Sequence, residues 1–287
     1  MKTIAEVIRP PAGHWVGDGF SVRSLFSYQG DTEAISPFLL FDYAGPHVFQ
    51  PAARPRGVGR HPHRGFETVT IVYDGEVSHR DSTGAGGTIG PGDVQWMTAA
   101  GGILHEEFHS PAFTRTGGPF RVVQLWVNLP AKDKMTTAGY QSIANADIPV
   151  VNLANGAGRA RIIAGDFAGT KGAARTFSPV NVWDVRLNQG CDVTLDLPEG
   201  HTAMIAVLSG HVTINGTQPA GEAEIVRFAR DGAQVAIRAG ADTMLLVLTG
   251  QPLGEPVFGY GPFVMTNEAE IRQAVTDFNS GRFGQVT

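Results

Sequence analysis

The chain holds nine histidines, and three of them recur at a spacing that does chemistry. His61 and His63 flank Pro62. Farther on, His105 and Glu107 stand two apart in GGILHEEFH, which runs from Gly101 to His109. Residues i and i+2 of a strand point to one side, so each pair projects two donor groups together. Pro62 favours extended backbone at His61. Lacking an N–H, it also suits an edge strand or a strand entry. Glu106 faces the other way. Two such pairs on neighbouring strands of a barrel converge on one ion. Three neutral imidazoles and one carboxylate form a mixed nitrogen and oxygen set that suits Fe(II), Mn, Ni, Co, Cu or Zn. Four protein ligands leave room on a six-coordinate ion for water, O2 or a chelating substrate. A lone H-x-H is more often a polar turn than a metal site; the second pair carries the argument. Two rivals share the spacing: Glu67 with His61 and His63, and His109 with His105 and Glu107. Either can replace a ligand or orient one from behind.

Such pairs need strands to hold them, and the chain is written as strands. Short apolar or alternating runs recur: FSVRSLF (20–26), FETVTIVY (66–73), DVQWM (93–97), FRVVQLWVNL (120–129), VNVWDVRL (180–187), MIAVLSG (204–210), AEIVRF (223–228) and TMLLVLTG (243–250). Turn-forming residues bound them. With 37 glycines and 18 prolines among 287 residues, an all-β protein rich in turns is predicted. VYDGEV (72–77) returns as VLSGHV (207–212) at an offset of 135 residues, which predicts two barrels in tandem. Residues 1–133 are expected to form the metal-binding domain and 134–150, PAKDKMTTAGYQSIANADIP in context, a linker. Residues 151–287 are expected to form a second, metal-free domain. The metal pairs do not recur in that second copy, so a single ion is expected. A helix closes the chain, with Asn267 at its N-cap, Glu270 three residues on, and Gly281 as its stop. Its apolar stripe is Ile271, Ala274, Val275 and Phe278.

Composition narrows the function. Apolar residues are 42% and charged residues 17%, which predicts a packed core rather than disorder. The net charge is -5 and no basic stripe is present, which disfavours direct nucleic-acid binding. No apolar segment approaches the ~20 residues of a membrane span. One cysteine, Cys191, permits no internal disulfide. A cytoplasmic location is expected on these grounds. The glycines of STGAGGTIGPGD (82–93) precede a strand, so a β-connection is expected rather than a phosphate loop. His79 is a further candidate for a place behind the ligands. Phe41, Phe66, Trp96 and Trp126 are expected chiefly in the core, with lining of an aromatic pocket as the alternative.

HPHRGFETV, then GDVQWMTAAGGILHEE, and finally QPLGEPVFGYGPFVMTNEAEIRQAVTDFNSGRFG together resemble the pirin family, a bicupin branch of the cupins. The resemblance covers nearly the whole chain. It implies two tandem cupin (double-stranded β-helix, or jelly-roll) barrels with a C-terminal helix and one mononuclear metal in the first barrel. It places the ligands at His61, His63, His105 and Glu107, and ranks Glu67 second. It implies Fe(II) first among divalent metals. The activity implied is cleavage of a flavonol such as quercetin with O2; on that reading Glu107 is expected to act as general base, taking the proton of the substrate hydroxyl when its metal bond loosens. The alternative is a redox-sensitive metal protein that binds a protein partner without turnover.

Overall fold

The computed structural model describes residues 1–286. It contains two compact units. Each is built from a seven-stranded and a four-stranded antiparallel sheet, with strands in the same order. Each of the eight runs read as strands in the sequence overlaps a strand, from Phe20–Ser27 to Thr243–Gly250, and four of them overrun its end by one or two residues. Central strands such as Phe66–Asp74 and Thr202–Ser209 are buried along nearly their whole length. That explains why the second reads as a nearly continuous apolar run, whereas the first buries Glu67, Thr68 and Thr70 among its apolar residues. The two matched turns share one device: Gly75 and Gly210 have φ +85° and +79°, a region where a side chain is strained.

One unit comprises residues 12–32, 38–145 and 254–287. Its core includes Phe20, Phe49, Val72, Phe113 and Phe120. Each buried side chain of this size stabilises by roughly 1.5–3 kcal/mol. The other unit comprises residues 1–11, 33–37 and 146–253, around Trp183, Ile205, Phe228 and Leu245.

This division departs from the expected boundaries at 133 and 150. The N-terminal strand Ile4–Ile8 pairs with Ile225–Phe228, so the first residues complete the second barrel. The stretch expected to be a linker supplies the strand Gly139–Ile143, which pairs with Val94–Thr98 in the first. Lys134, within it, is buried. The terminal helix, Glu268–Asn279, was expected in the second domain but belongs to the unit holding the histidine pairs. Asn267 caps it, its side chain accepting from Glu270 N at 3.0 Å. The Glu270 carboxylate reaches back to Thr266 N and Oγ1, at 2.9 and 2.6 Å. Ala274 is buried with Phe263 and Phe283, and Ile271 and Val275 pack beside them. Phe278, expected on the same stripe, stays exposed.

Candidate metal centre

His61 and His63 end the strand Gly57–His63, and His105 and Glu107 lie on Ile103–His109. The two strands pair antiparallel with His61 directly opposite His105. The register shifts between His105 and Glu107, bringing Glu107 opposite Val58; such bulges re-aim side chains beside functional sites. Gly65 begins the return of the chain into Phe66–Asp74. It has φ +90°, and a Cβ there would lie 2.0 Å from Val264 O, so only glycine fits.

The three imidazoles converge. Ring centroids are 4.2 Å apart for His61 and His105, and 4.9 Å for His63 with each of the others. One ring nitrogen from each lies within 4.8 Å of the other two. Among the described residues this is the one group of three or more donors that can hold a metal ion. Glu107 lies outside that tight group but lines the same cavity as His61 and His63.

The electrostatics suit a cation. Burial pushes the pKa values of His63 and His105 well below the ordinary imidazole value, and that of His61 below it. All three are therefore neutral near pH 7, with lone pairs available. His63 Nδ1 and both ring nitrogens of His105 are buried without a hydrogen-bond partner in the protein. Unpaired buried nitrogens are costly, and a bound ion would take up one nitrogen of each ring. His61 Nδ1 is held by Gly59 O at 2.8 Å, which fixes the ring. Burial pushes Glu107 up to about 7, against hydrogen bonds from Thr70 and Gln124 that favour the charged form. Thr70 Oγ1 lies 3.3 Å and Gln124 Nε2 3.5 Å from the Glu107 carboxylate oxygens.

The rivals are occupied elsewhere. Glu67 is buried and accepts from Thr98 Oγ1 at 2.8 Å. His109 Nε2 lies 2.9 Å from Gly19 O, and its ring sits among Phe20, Phe49, Phe113 and Phe120. Glu106 faces away from the group and pairs with Arg80. His79 stands opposite Glu107 on the next strand and shares a 2.7 Å hydrogen bond with the Tyr140 hydroxyl. In the other unit, the strands at the matching places are Asp192–Asp196 and Gln234–Ala239, which carry no histidine.

The cavity beside the group has a volume of about 270 Å³. Its apolar wall is Val16, Phe20, Val22, Ala44, Val58, Val122 and Trp126; its polar groups are Asp42, Gln124, Glu107, His61 and His63. Of the four aromatics weighed from the sequence, Trp126 lines this cavity, and Phe41, Phe66 and Trp96 are fully buried. Phe66 stacks on Trp126 at 4.3 Å. Sequence reasoning missed Asp42, Thr70 and Gln124. The available signal was a polar residue inside an apolar strand: FLLFDYAG, FETVTIVY and FRVVQLWVN.

Comparison with known proteins agrees with this architecture. The model of the family described as Pirin matches residues 19–127, and that of the Pirin C-terminal cupin domain matches residues 182–284. The chain is 56% identical over 283 residues to a Pseudomonas aeruginosa protein named "Putative quercetin 2,3-dioxygenase", with 99% of each covered. It is 37% identical over 286 residues to a pirin-like protein of Caulobacter vibrioides, covering 98% of this chain and 99% of that one. The crystal structure of a quercetin 2,3-dioxygenase from Acinetobacter baumannii shares 54% identity and a TM-score of 0.97 over the full length of both chains. With two barrels of this topology, a histidine group in one of them and similarity of this extent, the chain belongs to the pirin family of two-domain cupins.

Proposed function

We propose that this protein is a metal-dependent dioxygenase that opens flavonols such as quercetin with O2. His61, His63, His105 and Glu107 would hold one divalent ion, Fe(II) first among those the donor set suits. The observation that carries the reading is a set of unpaired, neutral imidazole nitrogens beside an apolar cavity that also admits a carboxyl group. The names of the similar proteins from Pseudomonas aeruginosa and Acinetobacter baumannii support the same substrate class. When bound, the ion supplies Lewis acidity toward a substrate hydroxyl and a redox centre for O2.

The chain's own residues do the rest. Glu107 would take the hydroxyl proton when its bond to the ion loosens, acting as general base. Thr70 and Gln124 hold its carboxylate in place. Trp126 lines the cavity, where it would contact an aromatic substrate, and its ring is stacked on Phe66. The valines and Phe20 exclude water, which strengthens each polar contact inside.

The test is to reconstitute the purified protein anaerobically with Fe(II), then add quercetin and air. Loss of flavonol absorbance with release of carbon monoxide is expected. Absence of turnover with any first-row metal across a panel of flavonols would sink the reading in favour of a binding protein. In the His63→Ala variant, metal content should fall at least about ten-fold, as loss of a direct ligand exceeds the effect of an outer partner; wild-type content would refute the ligand assignment.

A further inference from the structure

A polar row crosses the seven-stranded sheet of the metal-binding unit. Register places Ser24 opposite Asp42, Asp42 opposite Gln124, and Gln124 opposite Thr70. At one end of the row, Gln124 Nε2 donates to Thr70 Oγ1 at 3.2 Å, and both residues hold Glu107. At the other end stands a second carboxylate. Asp42 Oδ1 accepts from Ser24 Oγ at 2.5 Å, and Asp42 lines the same cavity as Glu107, His61 and His63. Two strand spacings, about 10 Å, separate Asp42 from Thr70. The cavity therefore has one carboxylate, Glu107, beside the histidine group and a second, Asp42, on the far side of Gln124, with Ala44, Val122 and Trp126 in the rows that flank them. Nothing in the proton transfer assigned to Glu107 uses Asp42. Ser24 engages one of its oxygens, which leaves the other free to accept from a ligand in the cavity it lines.

We propose that Asp42 accepts a hydrogen bond from a substrate hydroxyl at the end of the cavity remote from the histidine group. The site then selects polyhydroxylated flavonols over those whose single hydroxyl is the one at the metal. Asp42 is a specificity-determining residue here, and this role rests on the dioxygenase reading. A carboxylate that reads a hydroxyl discriminates strongly, because the analogue lacking it leaves the buried acceptor unpaired.

The probes are quercetin and 3-hydroxyflavone, whose only hydroxyl is the 3-hydroxyl. Both are titrated anaerobically into metal-reconstituted protein by calorimetry, so binding is read without turnover. Asp42→Ala should lower the quercetin to 3-hydroxyflavone affinity ratio by about ten-fold, with metal content at the wild-type level. Asp42→Asn keeps the shape of the side chain and should shift the ratio in the same direction, which guards against a folding defect in the alanine variant. A ratio unchanged in both variants overturns the proposal while leaving the dioxygenase reading intact. Loss of metal in both assigns Asp42 to the scaffold and also overturns it. Wild-type protein that binds neither flavonol overturns the dioxygenase reading and this one with it.

Discussion

At the scale of single residues, the site turns on how two buried glutamates are used. Glu67 and Glu107 are both pushed up to about 7, chiefly by burial. Glu107 opens on the cavity, where a proton can be exchanged with a ligand. Glu67 is closed in against Thr98 and Trp96. For Glu67 the raised value means that the neutral acid suits the fold. Its contribution to stability is full below pH about 4.5, declines as pH rises through that value to about 7, and is gone above it. Glu67→Gln removes this slope. Relative to wild type, the metal-free variant should gain on the order of 3 kcal/mol of stability between pH 5 and pH 8. Urea unfolding at the two pH values measures it; parallel wild-type and variant profiles would show a carboxyl that titrates normally. Both glutamates sit in polar positions of the sequence, and spacing could not separate them. What separates them is the partner each finds on another strand, Thr98 for one and Thr70 with Gln124 for the other.

At the scale of elements, the segment after Gly254 is fastened to the backbone that presents His63. Arg64 N donates to Pro262 O, and Val264 N donates to Arg64 O. The Arg64 side chain reaches Gly101 O at 2.7 Å and Asp277 of the terminal helix at 2.9 Å, and its guanidinium lies over the Phe283 ring. Lys134 adds a second fastening. Its buried ammonium donates to Gly65 O, Asn128 Oδ1 and Val264 O at 2.8, 2.6 and 3.0 Å. Burial lowers its pKa to about 8, so it remains mostly charged at neutral pH. Lys134→Ala should cost about 2–4 kcal/mol, since three buried acceptors lose their donor; chemical denaturation gives the value, and a change below about 1 kcal/mol would be that of a surface lysine. Asp277→Ala should speed limited proteolysis of residues 254–287 ahead of global unfolding, with the cleavage sites read by mass spectrometry. The helix itself was legible, because its cap and its apolar stripe are local signals. Its docking was not: Ala274 finds Phe263 and Phe283 within the tail, and Leu104 on a strand far away in sequence. The stretch 134–150 read as a linker because its composition is polar. A short edge strand and one buried lysine need little apolar sequence, so composition concealed them.

At the scale of the whole molecule, two units of like topology carry one histidine group. Among the described residues, no helix is long and apolar enough to cross a membrane. Binding of an ion to the native metal unit alone stabilises that unit by mass action, by about 2.7 kcal/mol at a hundred times Kd. Removing it with a chelator should therefore raise amide exchange in Gly57–His63 and Ile103–His109, and leave Val180–Leu187 and Thr243–Gly250 at their holo rates. Equal deprotection of both regions would contradict a site confined to one unit. By itself, the sequence determined the strands, the duplication, the terminal helix and the two-residue spacing of His61 with His63 and of His105 with Glu107. These are written in periods of two and 3.6 residues and in turn chemistry, all of which act over a few neighbouring positions. Only the tertiary structure decided which barrel each terminus completes, that Glu67 and His109 face other partners, and that Asp42, Gln124 and Thr70 meet in one row. Those outcomes depend on register between strands far apart in the chain. The local pattern and the turns set which face of a strand is buried, but which distant residue stands opposite is settled only where the strands come together in the sheet.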